Sequence, residues 1–190
     1  AVDLYRAAAS LAGFASGRDL AALVPGAKAA FLVPLALSLA ASAWGFHEAL
    51  DVRAERVVIE TDRLPAHVER LRICQISDVH LGPIVRGERL ARILEVVRQE
   101  NPDVLVSTGD LVDGPLARHP GLLEQLRDIR PALGKFAVTG NHEFYAGLEQ
   151  ALAFTREAGF EVLRGQARDL GGMLTLAGVD DPAGRGFSLK

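Results

Sequence analysis

Three apolar, β-branched runs in this chain each end in a small polar cluster. The runs cover residues 71–76, 104–106 and 136–138, and the clusters after them are Ser77-Asp78-Val79-His80, Gly109-Asp110 and Gly140-Asn141-His142-Glu143. Helix-like stretches separate the runs, so strands and helices alternate. This alternation predicts an α/β fold with a largely parallel sheet covered by helices. The carboxyl ends of parallel strands meet at one edge, where open α/β sheets build their sites.

The remaining elements follow from periodicity and from turn residues. We predict helices over residues 87–100, around 122–129 and from about 148 to 158, and further short strands over 57–59, 161–163 and 173–177. Asn101-Pro102 and Gly159 are the stop signals of two of these helices. A turn is expected at Leu64-Pro65.

An uncharged, Leu-, Ala- and Val-rich run covers residues 29–46. Its length approaches the roughly 20 residues that a helix needs to cross a bilayer. Trp44 and Phe46 suit the membrane interface, and Pro34 is tolerated inside a membrane bundle. A buried core helix or the apolar region of a signal segment are the alternatives. We predict a transmembrane helix, whose balanced flanking charges leave its orientation open.

The chain therefore divides into four parts. They are an Ala-rich flank (1–28), the transmembrane helix (29–46), a linker with a first strand (47–70) and an α/β domain (71–190). The flank is too polar to span a membrane and fits a loop or the remnant of an earlier membrane helix. Because the chain starts at Ala1 and stops at Lys190 just after a predicted strand and turn, we expect both ends to be cut.

Composition excludes some partners. The net charge of -3 and a pI near 6.0 offer no electrostatic case for nucleic acid, so no nucleic-acid partner is expected. Hydrophobic residues make up 49% and the mean hydropathy is +0.17, an excess that is concentrated unevenly along the chain. Cys74 is the single cysteine, which excludes an internal disulfide, and it is expected to pack as a small hydrophobe in a strand.

The polar clusters combine residue types that bind divalent metals. Asp78 and His80 are two positions apart, so on a strand both side chains would lie on one side and grip the same ion. Gly109 lets the backbone pass closely beneath the ions, and the carboxylate of Asp110 can bridge two cations about 3.5–4 Å apart. Asn141 offers a neutral carbonyl oxygen as a further ligand.

The third cluster adds a candidate catalytic group. His142 is placed to face a substrate phosphate as an acid or an electrostatic stabiliser, and Glu143 is expected to orient its imidazole. Taken singly, a strand-end Asp or His is more often a helix cap or a turn residue. The order of the three clusters and their shared position after strands favour the metal site.

The motifs "QISDVHLG", "STGDLVDG" and "VTGNHEFY", spaced by about thirty residues as one βα unit per motif requires, resemble the calcineurin-like metallophosphoesterases. The signature of that family is Asp-x-His, then Gly-Asp, then Gly-Asn-His followed by Glu or Asp. The resemblance implies a four-layer αββα sandwich with mixed sheets and a site that holds two divalent ions. Manganese, iron or zinc would suit these ligands.

The resemblance also implies a role for each site residue. Asp78 and His80 would bind the first metal, Asp110 would bridge, Asn141 would bind the second metal, and His142 would be the catalytic histidine that contacts the phosphate. The implied reaction is hydrolysis of phosphomonoesters or phosphodiesters by in-line attack of a metal-bound hydroxide on phosphorus.

Two further segments, "WGFHEALDVRAERVVIETDRLP" and "LAGVDDP", resemble the membrane-linked bacterial branch of this family. A phosphate-ester substrate and a lipid bilayer contacted through residues 29–46 are the implied partners, with a bacterial cell membrane as the location. Two alternatives stay open: a lipid-directed pyrophosphohydrolase of the same superfamily, and a non-catalytic metal-binding scaffold. A phosphoryl-aspartate mechanism is disfavoured because the chain lacks an Asp-x-Asp-x-Thr type of segment.

One departure from the family pattern concerns histidine. The family supplies more metal-binding histidines downstream, in Gly-His and Gly-His-x-His elements, yet this sequence has none after His142. His47, His67 and His119 lie outside the three clusters and are expected at the surface or an interface. We expect that the C-terminal part is missing and that this chain binds metal weakly and turns over poorly.

Overall fold

The computed structural model describes residues 2–16, 26–82, 85, 87–114 and 120–184. The chain divides into two units, Ala1–Asp51 and Val52–Lys190. The first unit is helical, with α1 over Val2–Ser16 and α2 over Ala27–Leu50. The four-part division drawn from the sequence stays a prediction.

Helix α2 has the dimensions of a membrane span. Its 24 residues correspond to about 36 Å at 1.5 Å per residue, against a hydrocarbon core of about 30 Å. The mean hydropathy of its most apolar window is 1.7, and no residue of that window is buried. Among the described residues, α2 is the one helix that is long and apolar enough to cross a membrane.

The second unit is an α/β domain. Its elements in chain order are β1 (Ile73–Ile76), α3 (Gly87–Glu100), β2 (Val104–Ser107), α4 (Pro120–Arg127), β3 (Lys135–Ala137), α5 (Asn141–Glu157), β4 (Glu161–Val162), β5 (Gln166–Asp169) and β6 (Thr175–Gly178). Strands β1 to β4 form one parallel sheet in sequence order, and β5 pairs with β6 antiparallel. The predicted α/β fold is confirmed, although neither sheet mixes strand directions over the described residues.

Alternate residues of the parallel strands face two different layers. Ile76, Leu105 and Ala137 belong to the larger apolar core, which the helices complete with buried leucines such as Leu90 and Leu126. The intervening residues, Val104 and Phe136, pack instead with Leu163 and Leu170. Since strand side chains alternate between faces, helices cover one face of the sheet and the region of β5 and β6 covers the other.

The three strands that carry the polar clusters end level with one another. Ile76 pairs with Ser107, and Ser107 pairs with Ala137. Their exits therefore open onto the same edge of the sheet. This register brings residues from three distant parts of the sequence into one place.

The predicted strand over residues 57–59 is wrong. Val57, Val58 and Ile59 lie in irregular backbone and are about four-fifths exposed. A β-branched run becomes a strand only when a partner supplies ladder hydrogen bonds and a packing surface. In the part of the chain that the structure describes, these residues have no strand partner.

Three other differences concern boundaries and a missed strand. The helix predicted from about 148 begins instead at Asn141 and is broken at Gly147, where φ is 103°. Strand β5 was not predicted, because all four of its residues are exposed and three are polar.

Cys74 packs half-buried against the main core in β1, as predicted, and burial raises the pKa of its thiol.

Candidate metal centre

Asp78 and His80 lie in the loop that follows β1, and their backbones connect this loop to the next one. Asp78 N–H donates to the carbonyl of Gly109 at 3.2 Å, and His80 N–H donates to the carbonyl of Asp110 at 2.9 Å. Both residues have φ of 52°, a left-handed conformation that Asp and His tolerate better than most residues. Left-handed backbone of this kind clusters at functional sites.

The side chains of this pair converge, but not for the predicted reason. The Nε2 atom of His80 is 3.9 Å from Oδ1 of Asp78. Strand alternation does not explain this distance, because both residues lie beyond Ile76, where β1 ends. The paired left-handed conformations bring the side chains together instead.

Asp110 lies at the centre of the site. It also has a left-handed φ, of 51°, and its side chain is largely buried. Its Oδ2 atom is 4.0 Å from Nε2 of His80, while Oδ1 accepts the backbone N–H of His142 at 2.9 Å. One carboxylate therefore contacts both the first and the third cluster.

Two glycines allow the second and third clusters to touch through their backbones. A Cβ on Gly109, whose φ is +113°, would lie 2.8 Å from Cα of Gly140. A Cβ on Gly140 would lie 2.2 Å from Oδ1 of Asp110. Asn141 follows Gly140 directly as the first residue of α5 and is half-buried. The absence of side chains at both glycines thus places Asn141 beside the Asp110 loop.

Glu143 is buried and ties these loops together. Its carboxylate accepts the backbone N–H groups of Asp110 at 3.0 Å, Val112 at 3.0 Å and Gly140 at 2.7 Å. We expected Glu143 to orient the imidazole of His142, and this is wrong. Both carboxylate oxygens are committed to backbone amides that hold the second and third clusters in place.

Asp113, which the sequence analysis did not select, is the partner of His142. Nδ1 of His142 lies 3.0 Å from Oδ1 of Asp113, and this hydrogen bond raises the pKa of His142. The ring of His142 meets the ring of His80 edge-on, with centroids 4.5 Å apart. The sequence feature that could have identified Asp113 is its place as the second aspartate of "STGDLVDG", three residues after Asp110.

The donor atoms fit a divalent metal ion. Asp78, His80 and Asp110 offer three donor atoms that all lie within 4.8 Å of one another, and His80, Asp113 and His142 form a second such group. Ligand atoms about 2.1 Å from a shared ion are roughly 3.0–4.2 Å apart, and the distances of 3.9 Å and 4.0 Å match this range. Nδ1 of His80 is buried without a hydrogen-bond partner among the described residues.

Three aspartates give the site an excess of negative charge, and the other described histidines lie outside it. Asp78, Asp110 and Asp113 lie around His80, an arrangement that attracts cations. His47 and His67 are exposed, as expected. His119 lies outside the described residues.

An α/β domain that collects carboxylates and imidazoles at the carboxyl edge of its parallel sheet is suited to binding divalent metals. Residues 71–185, more than half of the chain, match the model of the calcineurin-like phosphoesterase family. The chain belongs to this family, whose members are hydrolases of phosphoric esters that use divalent metals.

Relatives share this domain. An uncharacterised metallophosphoesterase of Aquifex aeolicus is 46% identical over 143 residues, which are 75% of this chain and 54% of that protein. A zebrafish (Danio rerio) transmembrane protein with a metallophosphoesterase domain is 36% identical over 132 residues, 66% of this chain and 30% of that protein. The chain therefore spans about half of the Aquifex protein and less than a third of the zebrafish one.

A solved structure is more distant. The crystal structure of the Pseudomonas putida nuclease MPE matches with a TM-score of 0.36 and 21% identity, over 51% of this chain and 56% of that one.

Proposed function

We propose that the protein is a metal-dependent phosphoesterase that hydrolyses phosphomonoesters or phosphodiesters. The observation that carries the proposal is that one donor atom each of Asp78, His80 and Asp110 lies within 4.8 Å of the other two. These atoms come from two separate loops that hydrogen bonds join at the carboxyl edge of the sheet. Membership of the phosphoesterase family supports the reaction class.

Each ligand has a proposed place. Asp78 and His80 hold one ion, Asn141 holds a second, and Asp110 lies between them. Because Oδ1 of Asp110 accepts the amide of His142, Oδ2 is the oxygen of this carboxylate that would bind metal. Two divalent ions, with manganese, iron or zinc suited to these ligands, would polarise a water molecule and offset the charge of the phosphate oxygens.

His142 is the proposed contact to the phosphate. Its Nδ1 atom is held by Asp113, which fixes the ring orientation and leaves Nε2 for the substrate. A phosphate held against this nitrogen would receive a hydrogen bond as charge develops on its oxygens. Asp113 acts on the substrate through His142.

We further propose that α2 anchors the protein in a membrane, in a bacterium the cell membrane. The helix is apolar all round, and residues such as Phe31, Leu37 and Leu39 are more than half exposed, as expected of a lipid-facing helix. The zebrafish relative is named as a transmembrane protein. The chain should remain in membranes washed with alkaline carbonate, and deletion of residues 27–50 should release it; release of the full chain by carbonate would contradict the anchor.

The substitution Asp110→Asn tests the metal site. We expect the affinity for Mn²⁺, measured by calorimetry, to fall by at least about 100-fold. Even the loss of a residue that only hydrogen-bonds to a metal ligand lowers metal affinity by about 10–100-fold. Hydrolysis of bis-p-nitrophenyl phosphate should fall almost to the background rate. The control Glu95→Gln removes one exposed carboxylate charge from α3 and should change neither value.

The outcomes separate the alternatives. If wild type binds Mn²⁺ and shows no metal-dependent hydrolysis of a phosphate ester, not even the slow turnover expected of this chain, it is a metal-binding scaffold. If Asp110→Asn binds Mn²⁺ and hydrolyses the diester as wild type does, the proposed site is wrong. Comparing the aryl diester with a lipid pyrophosphate would show whether the lipid-directed alternative fits better.

A further inference from the structure

The segment "LAGVDDP", conspicuous in the sequence, has no part in the site described so far. Residues 178–184, which begin inside this segment and end two residues after it, lie against residues that flank the third cluster. A Cβ on Gly178 would be 2.7 Å from Cγ1 of Val138, and a Cβ on Gly184 would be 2.5 Å from the ring of Phe144. Between these two close approaches, Thr139 donates its hydroxyl to Oδ1 of Asp180 at 3.0 Å. The segment therefore contacts residues on both sides of Asn141.

Asp180 is itself firmly held. Nε and Nη2 of Arg164 lie 2.8 Å from Oδ1 and 2.7 Å from Oδ2 of Asp180, a two-pronged arrangement. Such paired, charge-assisted hydrogen bonds are stronger and more directional than single neutral ones. Arg164 and Thr139 both lower the pKa of the Asp180 carboxyl, so it stays an acceptor. Asp180 thus offers Thr139 a fixed anchor.

We propose that Asp180 is a positioning residue that fixes Asn141 as a ligand of the second metal. Thr139 is buried and immediately precedes Gly140 and Asn141. Its hydroxyl is anchored by Asp180, while the next amide, that of Gly140, is anchored by Glu143. Consecutive residues are thereby held from two sides. The inference rests on the proposed function in that it takes Asn141 as a ligand.

The packing at Gly140 explains why this anchor matters. Gly140 lies so close to Asp110 that there is no space for a Cβ between them. A shift of Thr139 therefore moves either Asn141 or the carboxylate of Asp110. Ligands must be held to within about 0.5 Å of their working positions, so loosening residue 139 should reduce metal affinity without unfolding the sheet.

The test compares Thr139→Val, which keeps the size of the side chain but removes the hydroxyl, with Thr139→Ser, which retains the hydroxyl. Asp180→Ala removes the anchor itself. The matched control is Glu161→Gln, because Glu161 pairs with Arg168 in a similar arginine–carboxylate contact that does not reach the third cluster. All four variants are made in the full chain.

The first measurement is amide hydrogen exchange of the metal-free proteins. We expect Thr139→Val and Asp180→Ala to speed exchange at Gly140 and His142 by about tenfold, the value of one net hydrogen bond, with β2 amides unchanged. Thr139→Ser and Glu161→Gln should exchange as wild type. Wild-type exchange at Gly140 and His142 in both Thr139→Val and Asp180→Ala would overturn the inference, as would equal acceleration across the whole domain.

The second measurement is Mn²⁺ titration. Thr139→Val and Asp180→Ala should bind the weaker of two ions about tenfold less tightly, while binding of the tighter ion is kept. If wild type binds no Mn²⁺, the proposed function fails, and the exchange data still decide whether Asp180 positions the Asn141 loop. If wild type binds two ions and both variants bind them equally well, the inference alone fails.

Discussion

The two edges of the parallel sheet use charged side chains for different purposes. The carboxyl edge bears Asp78, Asp110 and Asp113 around the imidazoles. At the amino edge, the guanidinium of Arg72 donates to the carbonyl of Glu100 at 2.5 Å. Nζ of Lys135 there donates to the carbonyls of Leu126 and Ala158 at 2.6 Å and 2.5 Å.

This difference follows from the direction of the helices. In βαβ units the helices run against the strands, so α3, α4 and α5 all end near the amino edge. Unpaired carbonyls at helix ends attract cations, and helix beginnings favour negative groups. Helix α5 begins at Asn141, inside the site. The connectivity therefore places the beginning of α5 at the edge with the candidate ligands, and it places helix ends at the edge where Arg72 and Lys135 donate to backbone carbonyls.

The largest effect on stability is expected from Glu143. This residue lies at the carboxyl edge, but it is buried and has a structural role. Glu143→Gln would turn an amide NH₂ toward backbone N–H groups that now donate to the carboxylate. We expect the free energy of unfolding to fall by about 2–4 kcal/mol. Pulse proteolysis in urea on the detergent-solubilised chain measures it, with Glu95→Gln as control. A loss below about 0.5 kcal/mol, typical of surface changes, would show that the carboxylate does not hold the loops.

Lys135 probes the opposite edge and should give a smaller effect. Lys135→Met keeps the packing of the side chain but leaves the carbonyls of Leu126 and Ala158 without their donor. We expect a loss of about 1–3 kcal/mol in the free energy of unfolding, with metal affinity unchanged. The exposed cation Arg168 serves as the control, since Arg168→Met removes a solvent-exposed ion pair with Glu161 that contributes little to stability. Equal losses from both would contradict a special role for the amino-edge lysine.

The smallest effect is expected in the pH dependence of stability, to which Lys135 at the amino edge contributes. Burial, and to a lesser extent the nearby Arg130 and Arg127, lower the pKa of Lys135 to about 8 from 10.5. Below pH 8 both folded and unfolded chains carry the proton. Between pH 8 and 10.5 the unfolded chain binds more protons, so the contribution of this lysine to stability rises with pH. The deficit of Lys135→Met in pulse proteolysis should therefore grow from pH 7.5 to pH 10; a constant deficit would contradict the lowered pKa.

Periodicity in the sequence predicted much of the fold. The helix Gly87–Glu100 has the predicted boundaries, since its apolar residues recur at helical spacing and Asn101-Pro102 stops it. The parallel strands were predicted because each is a short apolar run between helices. The run over 57–59 is also short, apolar and β-branched, yet it has no strand partner among the described residues. Strand formation depends on that partner, which composition does not reveal.

Within the site, residue types were easier to predict than their connections. Asp78, His80 and Asp110 were selected by type and position, and the structure brings them together. The contacts of Glu143 with the loop of Asp110, and of Asp113 with His142, join residues about 30 positions apart. Such partners are fixed by how loops pack, and no local periodicity encodes them.

The aligned strand ends have a consequence for insertions and deletions. Ile76, Ser107 and Ala137 lie side by side, and Asp78, Asp110 and Asn141 follow them by two, three and four residues. The segment between strand end and candidate ligand therefore has a different length after each of the three strands, and each length suits only its own strand. Removing one residue after Ser107 would draw Asp110 back and turn its side chain away, so these loops, unlike ordinary surface loops, have no freedom in length.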